Sequence, residues 1–110
     1  MSLIKITIYS TSNGRYPFSE WLEDLDTVDQ AIVTQRLARV RLGNFGDVKS
    51  IVNSGGIFEL RISYGPGYRI YFARSGVELI ILLIAGDKKT QVRDIEKAKK
   101  YWKKYQEEVK

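Results

Sequence analysis

The sequence predicts an α+β domain in the order β-α-α-β-β-β-α, with a helical hairpin packed on a small antiparallel-meander sheet. Three observations predict it. A β-branched segment opens the chain, two segments with apolar residues at helical spacing follow, and the second half carries three strand-like segments joined by short turns before a last amphipathic helix. A chain of 110 residues supports one core, so residues 1–110 are expected to form a single domain.

Leu3-Ile4-Lys5-Ile6-Thr7-Ile8-Tyr9 is rich in β-branched residues and roughly alternating, as a strand is. Pro17 suits the first turn of a helix, and Phe18, Trp21, Leu22 and Leu25 then recur at i, i+3, i+4 and i+7 as one apolar stripe. Thr27 with Gln30 three positions on reads as a capping box that opens a second helix, ending near Leu42 before Gly43-Asn44. That helix shows Val28, Ala31, Ile32 and Ala38 on one side and Val33, Leu37 and Val40 on another. Two apolar sides imply two neighbours, either the first helix and the sheet or, for part of the surface, a protein partner. A loop to Gly56 precedes strands at Ile57 to Ser63, Tyr68 to Arg74 and Val77 to Ala85. The third lacks polar alternation from Leu79 to Ile84, which fits a strand covered on both faces. Thr90 can cap the last helix, whose apolar stripe is Ile95, Ala98, Trp102, Tyr105 and Val109.

Composition excludes several chemistries. Cysteine and histidine are both absent, so disulfides, thiolate metal sites, cysteine nucleophiles and the usual imidazole acid–base group are ruled out. Any catalysis rests on Arg, Lys, Tyr, Glu, Asp or Ser, and no metal site or cofactor is expected. Hydrophobic residues at 44% and charged residues at 28% match a soluble globular protein. The longest apolar run, Leu79 to Ala85, is seven residues, too short to cross a bilayer. The amino terminus enters an apolar alternating segment with no leader pattern, so a cytosolic protein without a membrane partner is expected. A net charge of +5 and a pI near 9.5 favour acidic partners.

Alternation places Glu59, Arg61, Arg69 and Tyr71 on one face of two adjacent strands, while Phe58, Leu60, Ile62, Ile70 and Phe72 cover a core on the other. Two guanidiniums able to fork onto phosphate oxygens point to a polyanionic ligand, of which nucleic acid is the commonest. Lys49 before the meander and Lys88 and Lys89 after it can converge on one end of the sheet. Such a cluster can cleave RNA without metal or histidine: cations stabilise the phosphorane while the deprotonated 2′-hydroxyl attacks. The proton acceptor is the scarce part: Glu59 is the only acid on that face, and Tyr71 or a lysine serves near neutral pH only with a lowered pKa. A cross-strand ion network in which Glu59 simply pairs with an arginine satisfies the same pattern.

Charge is segregated along the chain. From Lys88 to Lys104 there are eight Lys or Arg against Asp94 and Glu96, whereas Glu20 to Asp29 holds five acids and no base. Arg93, Lys97, Lys100 and Lys104 lie together on one helical face and can follow an RNA backbone, or they are a solvated face and nothing more.

The most specific strings are Gly43-Asn44-Phe45-Gly46-Asp47-Val48-Lys49, Glu59-Leu60-Arg61, Tyr64-Gly65-Pro66-Gly67-Tyr68-Arg69-Ile70-Tyr71-Phe72 and Gly86-Asp87-Lys88-Lys89-Thr90-Gln91. In order and spacing they resemble the RelE/ParE toxin superfamily, and in particular its HigB-like branch of addiction-module killer proteins, over nearly the full length. The resemblance implies a RelE-like fold and a type II toxin neutralised by an antitoxin of helix-turn-helix type encoded beside it. It implies a ribosome-dependent endoribonuclease, or mRNA interferase, that cuts messenger RNA, whereas ParE-like members poison DNA gyrase. Arg61 and Arg69 fall where RelE-like toxins carry basic catalytic residues, and Lys88 and Lys89 where they carry another cation. The carboxy-terminal tyrosine of such enzymes is replaced here by Ile95 or its neighbours, which leaves a non-enzymatic, antitoxin-binding homologue as the competing class. The alternation demands that Arg61 and Arg69 face away from the helical layer, and a guanidinium in that core would mean a register wrong by one residue.

Overall fold

The computed structural model describes residues 3–109; Met1 and Ser2, the first residues of the leaderless terminus expected above, lie outside them. The elements are β1 (Lys5–Ile8), α1 (Pro17–Glu23), α2 (Thr27–Arg41), β2 (Val48–Ser50), β3 (Ile57–Ile62), β4 (Tyr68–Ser75), β5 (Leu79–Asp87), a 3₁₀ turn (Lys88–Thr90) and α3 (Gln91–Glu108). The fold is α+β, and the sheet order is β1-β5-β4-β3-β2. From β2 to β5 it is the expected antiparallel meander. Two details differ from the sequence reading. β1 joins the edge of β5 in parallel, because the helical hairpin carries the chain back across the sheet before the meander begins. β2 occupies part of the segment read as a loop, and three residues are too few for alternation to register.

Apolar residues fill both sides of the sheet and make three layers. Phe18 of α1 and Val33 and Val40 of α2 pack with Leu60, Ile62, Ile70 and Phe72 on one side. Ala98 and Trp102 of α3 pack with Ile57, Tyr71, Ala73, Ile81 and Leu83 on the other. β5 is buried on both faces, as its unbroken apolar run requires. It also carries a bulge. Tyr71 stands opposite Ile84 and Phe72 opposite Leu82, so the extra residue Leu83 and its neighbour Ile84 both reach the α3 side.

The helix starts are set by local chemistry. Pro17 begins α1, as its fixed φ favours. Asp26 rather than Thr27 caps α2: its carboxylate accepts the Asp29 N–H at 2.9 Å, and a charged oxygen at the positive helix end outcompetes a neighbouring hydroxyl. Gln30 instead donates its amide to the Leu25 carbonyl at 2.8 Å. Thr90 likewise gives α3 no side-chain cap; Asp87 and Thr90 form a capping box around the 3₁₀ turn. The expectation that α1 covers one side of α2 is corrected, because Val28 is 60% exposed and Ala31 and Ala38 are open to solvent. The seven-residue α1 lays its apolar side chains on the sheet instead. No helix among the described residues is long and apolar enough to cross a membrane.

Gly86 fixes where α3 begins. A Cβ on it would lie 2.0 Å from the Asp94 Oδ2 and 2.6 Å from the Thr90 Oγ1, so only glycine lets the first turns of α3 settle onto β5. Trp102 secures the middle of the helix, donating its indole N–H to the Gly55 carbonyl at 2.9 Å. Gly86→Ala should therefore destabilise the fold by about 2–3 kcal/mol, the cost of an overpacked contact that the backbone must relieve. Urea unfolding would measure it, and a loss under about 0.5 kcal/mol, typical of a surface change, would mean that α3 is not seated in this notch.

Candidate nucleic-acid interface

Arg61 on β3 and Arg69 on β4 are directly opposite in register, as are Glu59 and Tyr71. Two like charges side by side on paired strands repel each other unless something stands between them. Glu59, one alternation away on the same face, supplies it. Its Oε1 accepts from the Arg61 Nε at 3.1 Å and the Arg69 Nη1 at 3.0 Å. Its Oε2 accepts from the Tyr71 hydroxyl at 3.1 Å and the Gln91 Nε2 at 2.7 Å. Two strands and the first residue of α3 thus converge on one carboxylate.

Both guanidiniums point away from the α1–α2 layer, as the alternation demands. That face is not left to solvent: α3 covers part of it, and Glu59 is 1% and Tyr71 0% exposed. The sequence had only the apolar stripe of α3 to suggest a docking surface, and nothing in that stripe says which sheet face it takes. Arg69 keeps 13% and Arg61 32% of its side-chain surface. The pair sits at the rim where the covered core ends, with several N–H groups of each fork not committed to Glu59.

Burial alone would raise the Glu59 carboxyl, but hydrogen bonds from Gln91, Arg61 and Tyr71 and the charge of Arg69 outweigh it and hold the group below the ordinary carboxylate range. Tyr71 moves the other way, pushed up first by burial and then by the charge and hydrogen bond of Glu59. Its hydroxyl stays protonated and sealed, which suits an anchor rather than a proton shuttle. Tyr68, on the opposite face, is raised to about 12, chiefly because it donates to Asp29 of α2, and so it pins that helix to the sheet.

The remaining candidate cations divide into two groups. Lys49 is opposite Glu59 in register and exposed, so it extends the arginine face across β2. Lys88 lies over the β3–β4 turn, its Cδ 3.0 Å from where a Cβ on Gly67 would be, and Lys89 follows it in the same exposed turn. Both stand at the end of the sheet that carries Arg69 and Gly86. Arg93, Lys97, Lys100 and Lys104 are exposed but lie on the side of α3 away from Gln91, Ala98 and Trp102, which meet the sheet. Arg93 and Lys97 line a separate polar groove of about 480 Å³ with Arg15, Glu20 and Asp24. The structure therefore gathers Lys49, Arg61, Arg69, Lys88 and Lys89 on one surface and sets the helical stripe on another. Among the described residues, no group of three or more acidic side chains is arranged to hold a metal. Gln91 was missed in the sequence reading; its place in the Gly86-to-Gln91 string was the only signal, and the string carries no geometry.

Residues 20–103 match the family described as Phage derived protein Gp49-like (DUF891). The chain belongs to this family. It is a RelE-like family with a toxin–antitoxin-type function and an antitoxin partner, and the matched span contains every residue of the Glu59 cluster. A Haemophilus influenzae protein described only as uncharacterized is 47% identical over 83 residues, which is 74% of this chain and 82% of that one.

The direction of the Glu59 shift fixes a pH dependence. A carboxyl depressed by folding contributes its full stability above its unfolded value, about 4.3, and loses that contribution as pH falls through the lower folded value. Glu59→Gln should destabilise the protein at neutral pH by about 2–3 kcal/mol, a buried-pair loss discounted because Arg61 is partly solvated. The gap between the two proteins should narrow as pH falls below the ordinary glutamate value of about 4.3. Denaturant titrations across pH measure it, and an equal gap at both ends would show that Glu59 is not the ionised anchor.

Proposed function

We propose that this chain is the toxin of a type II toxin–antitoxin pair of HigB-like type, acting as a ribosome-dependent endoribonuclease that cuts messenger RNA. The observation that carries this reading is the pair of guanidiniums held on one carboxylate oxygen, 3.1 and 3.0 Å away, with their outer N–H groups toward solvent. A phosphodiester bridging both arginines gains two charge-assisted contacts. Lys88 and Lys89, from the end of β5, add charge where the phosphorane develops.

Glu59 and Tyr71 act as positioning residues in this reading. The four lone-pair directions of the carboxylate are filled and the phenol is sealed, so neither is placed to accept the 2′-hydroxyl proton. The arginine face therefore contributes by positioning and charge stabilisation, and a message held in line by the ribosome supplies the geometry that the free protein lacks. The same satisfied carboxylate favours the second reading, a non-enzymatic or gyrase-directed toxin that binds through this face.

Expression without the antitoxin distinguishes the two. Growth arrest with messages cut at codon positions supports the nuclease, whereas arrest with intact messages and damaged DNA supports the gyrase-directed reading. Arg61→Ala and Arg69→Ala should each lower cleavage by about 10²-fold or more, the usual loss when one transition-state donor is removed. Unchanged cleavage and growth arrest in both variants would dismiss the assignment. Replacing Lys97, Lys100 and Lys104 together by alanine should flatten the salt dependence of RNA affinity, by up to about 2 in log–log slope for a single strand. An unchanged slope would return these lysines to a solvated face.

A further inference from the structure

We infer that Gln91 is a positioning residue of the anion site: acting through Glu59, it makes the separation of Arg61 and Arg69 depend on the seating of helix α3. The inference rests on the reading of the arginine pair as a phosphate site. It goes further by assigning a role to a residue that touches no ligand.

The argument starts from the carboxylate. A glutamate end group turns with little torsional preference, so its oxygens hold a fixed direction only where bonds on both oxygens define the plane. Oε1 carries both arginines. Oε2 must therefore be held from elsewhere, and its donors are Tyr71 at 3.1 Å and Gln91 at 2.7 Å. Tyr71 comes from the same strand as Arg69, so it fixes Glu59 relative to the sheet. Gln91 comes from α3 and is, among the described residues, the only donor to Glu59 supplied by a helix, and its bond is the shortest of these four.

The position of Gln91 is itself determined. Asp94 sits over Gly86 and accepts from Thr90, which locks the first turn, while Trp102 holds the helix three turns on. The seam of Ala98 and Trp102 does not involve Gln91, so α3 stays docked if that amide is lost. The charged and titratable groups that face Glu59 are Lys49 from β2, Arg61 from β3, Arg69 and Tyr71 from β4, and, through Tyr71, Asp94 from α3. Among these the neutral amide has a particular use. It adds a donor without adding a cation that would compete with the arginines for Oε1.

Two variants of the full chain test this, Gln91→Met and Gln91→Glu. The readouts are affinity for a short single-stranded RNA, the pH titration of the Glu59 carboxyl carbon by NMR, and the Trp102 indole resonance as a monitor of α3. In Gln91→Met the indole resonance should not move, RNA affinity should fall by about tenfold, and the Glu59 titration should shift to higher pH because the ionised form has lost a donor. In Gln91→Glu the affinity should fall further near neutral pH, where two carboxylates face each other. It should recover in part near about pH 5, where the introduced carboxyl is protonated and donates again. A role confined to holding the helix predicts no such recovery. Wild-type RNA affinity and an unshifted Glu59 titration in both variants would overturn the inference. Failure of the wild-type protein to bind RNA would instead count against the phosphate-site reading, and the carboxyl titration would still decide the role of Gln91.

Discussion

One buried carboxylate sets the terms for the rest of this structure. Taking an ionised Glu59 out of water costs several kcal/mol unless its oxygens are fully bonded, and here all four donors come from outside its immediate backbone neighbours. Each donor constrains a different part of the fold. Arg61 requires that β3 keep its alternation through Ile62. Arg69 and Tyr71 require the β3–β4 register that places them opposite Arg61 and Glu59, and Gln91 requires α3 to start where it does. That start depends in turn on the missing side chain at Gly86. A slip in any one of them would strand either a buried charge or two facing arginines, so the cluster specifies the fold as well as furnishing the site.

The two faces of the sheet differ in polarity. Its α1–α2 face is apolar through the middle, with the Tyr68 hydroxyl bonded to Asp29 and the Arg74 guanidinium lying over the Phe45 ring. Its α3 face grades from the apolar seam around Trp102, through the sealed Glu59 and Tyr71, to the partly exposed arginines and the open Lys49, Lys88 and Lys89. Along that gradient the dielectric rises and side chains pass from anchors to groups available to a ligand. An anchor at the dry end keeps the wet end ordered before anything binds, which in the proposed reading would lower the entropic cost of gripping a phosphate. Sequestering Glu59 this way removes it as a free base, so the arrangement favours holding and charge stabilisation over proton transfer.

Much of this was legible in the sequence because it depends on period alone. Alternation from Phe58 to Phe72 put Glu59, Arg61, Arg69 and Tyr71 on one face, and the unbroken run at Leu79 to Ile84 announced a strand buried on both sides. What alternation cannot report is what lies above a face. The polar set reads as solvent-facing because nothing local says that α3 returns to cover it, and the stripe of Ile95, Ala98 and Trp102 names a surface without naming its partner. Short-range competition hid other features. Asp26 and Thr27 are adjacent candidates for one cap, and Val48-Lys49-Ser50 is too brief to show a strand. The parallel pairing of β1 with β5 is a long-range choice that neither segment encodes by itself. Gln91, a polar residue at a helix start, has no sequence signature that distinguishes a buried donor from a solvated one.

The central claim is that Arg61 and Arg69 share one ionised anchor, and the guanidinium resonances of these two residues test it most directly. Nitrogen-detected NMR near neutral pH should show the Arg61 Nε–H and an Arg69 Nη–H as slowly exchanging, rotationally hindered signals. As acid protonates Glu59, both should broaden and average together at a single midpoint below about 4.3, the ordinary glutamate value. Freely rotating guanidiniums at neutral pH, or two arginines released at separate midpoints, would contradict the account.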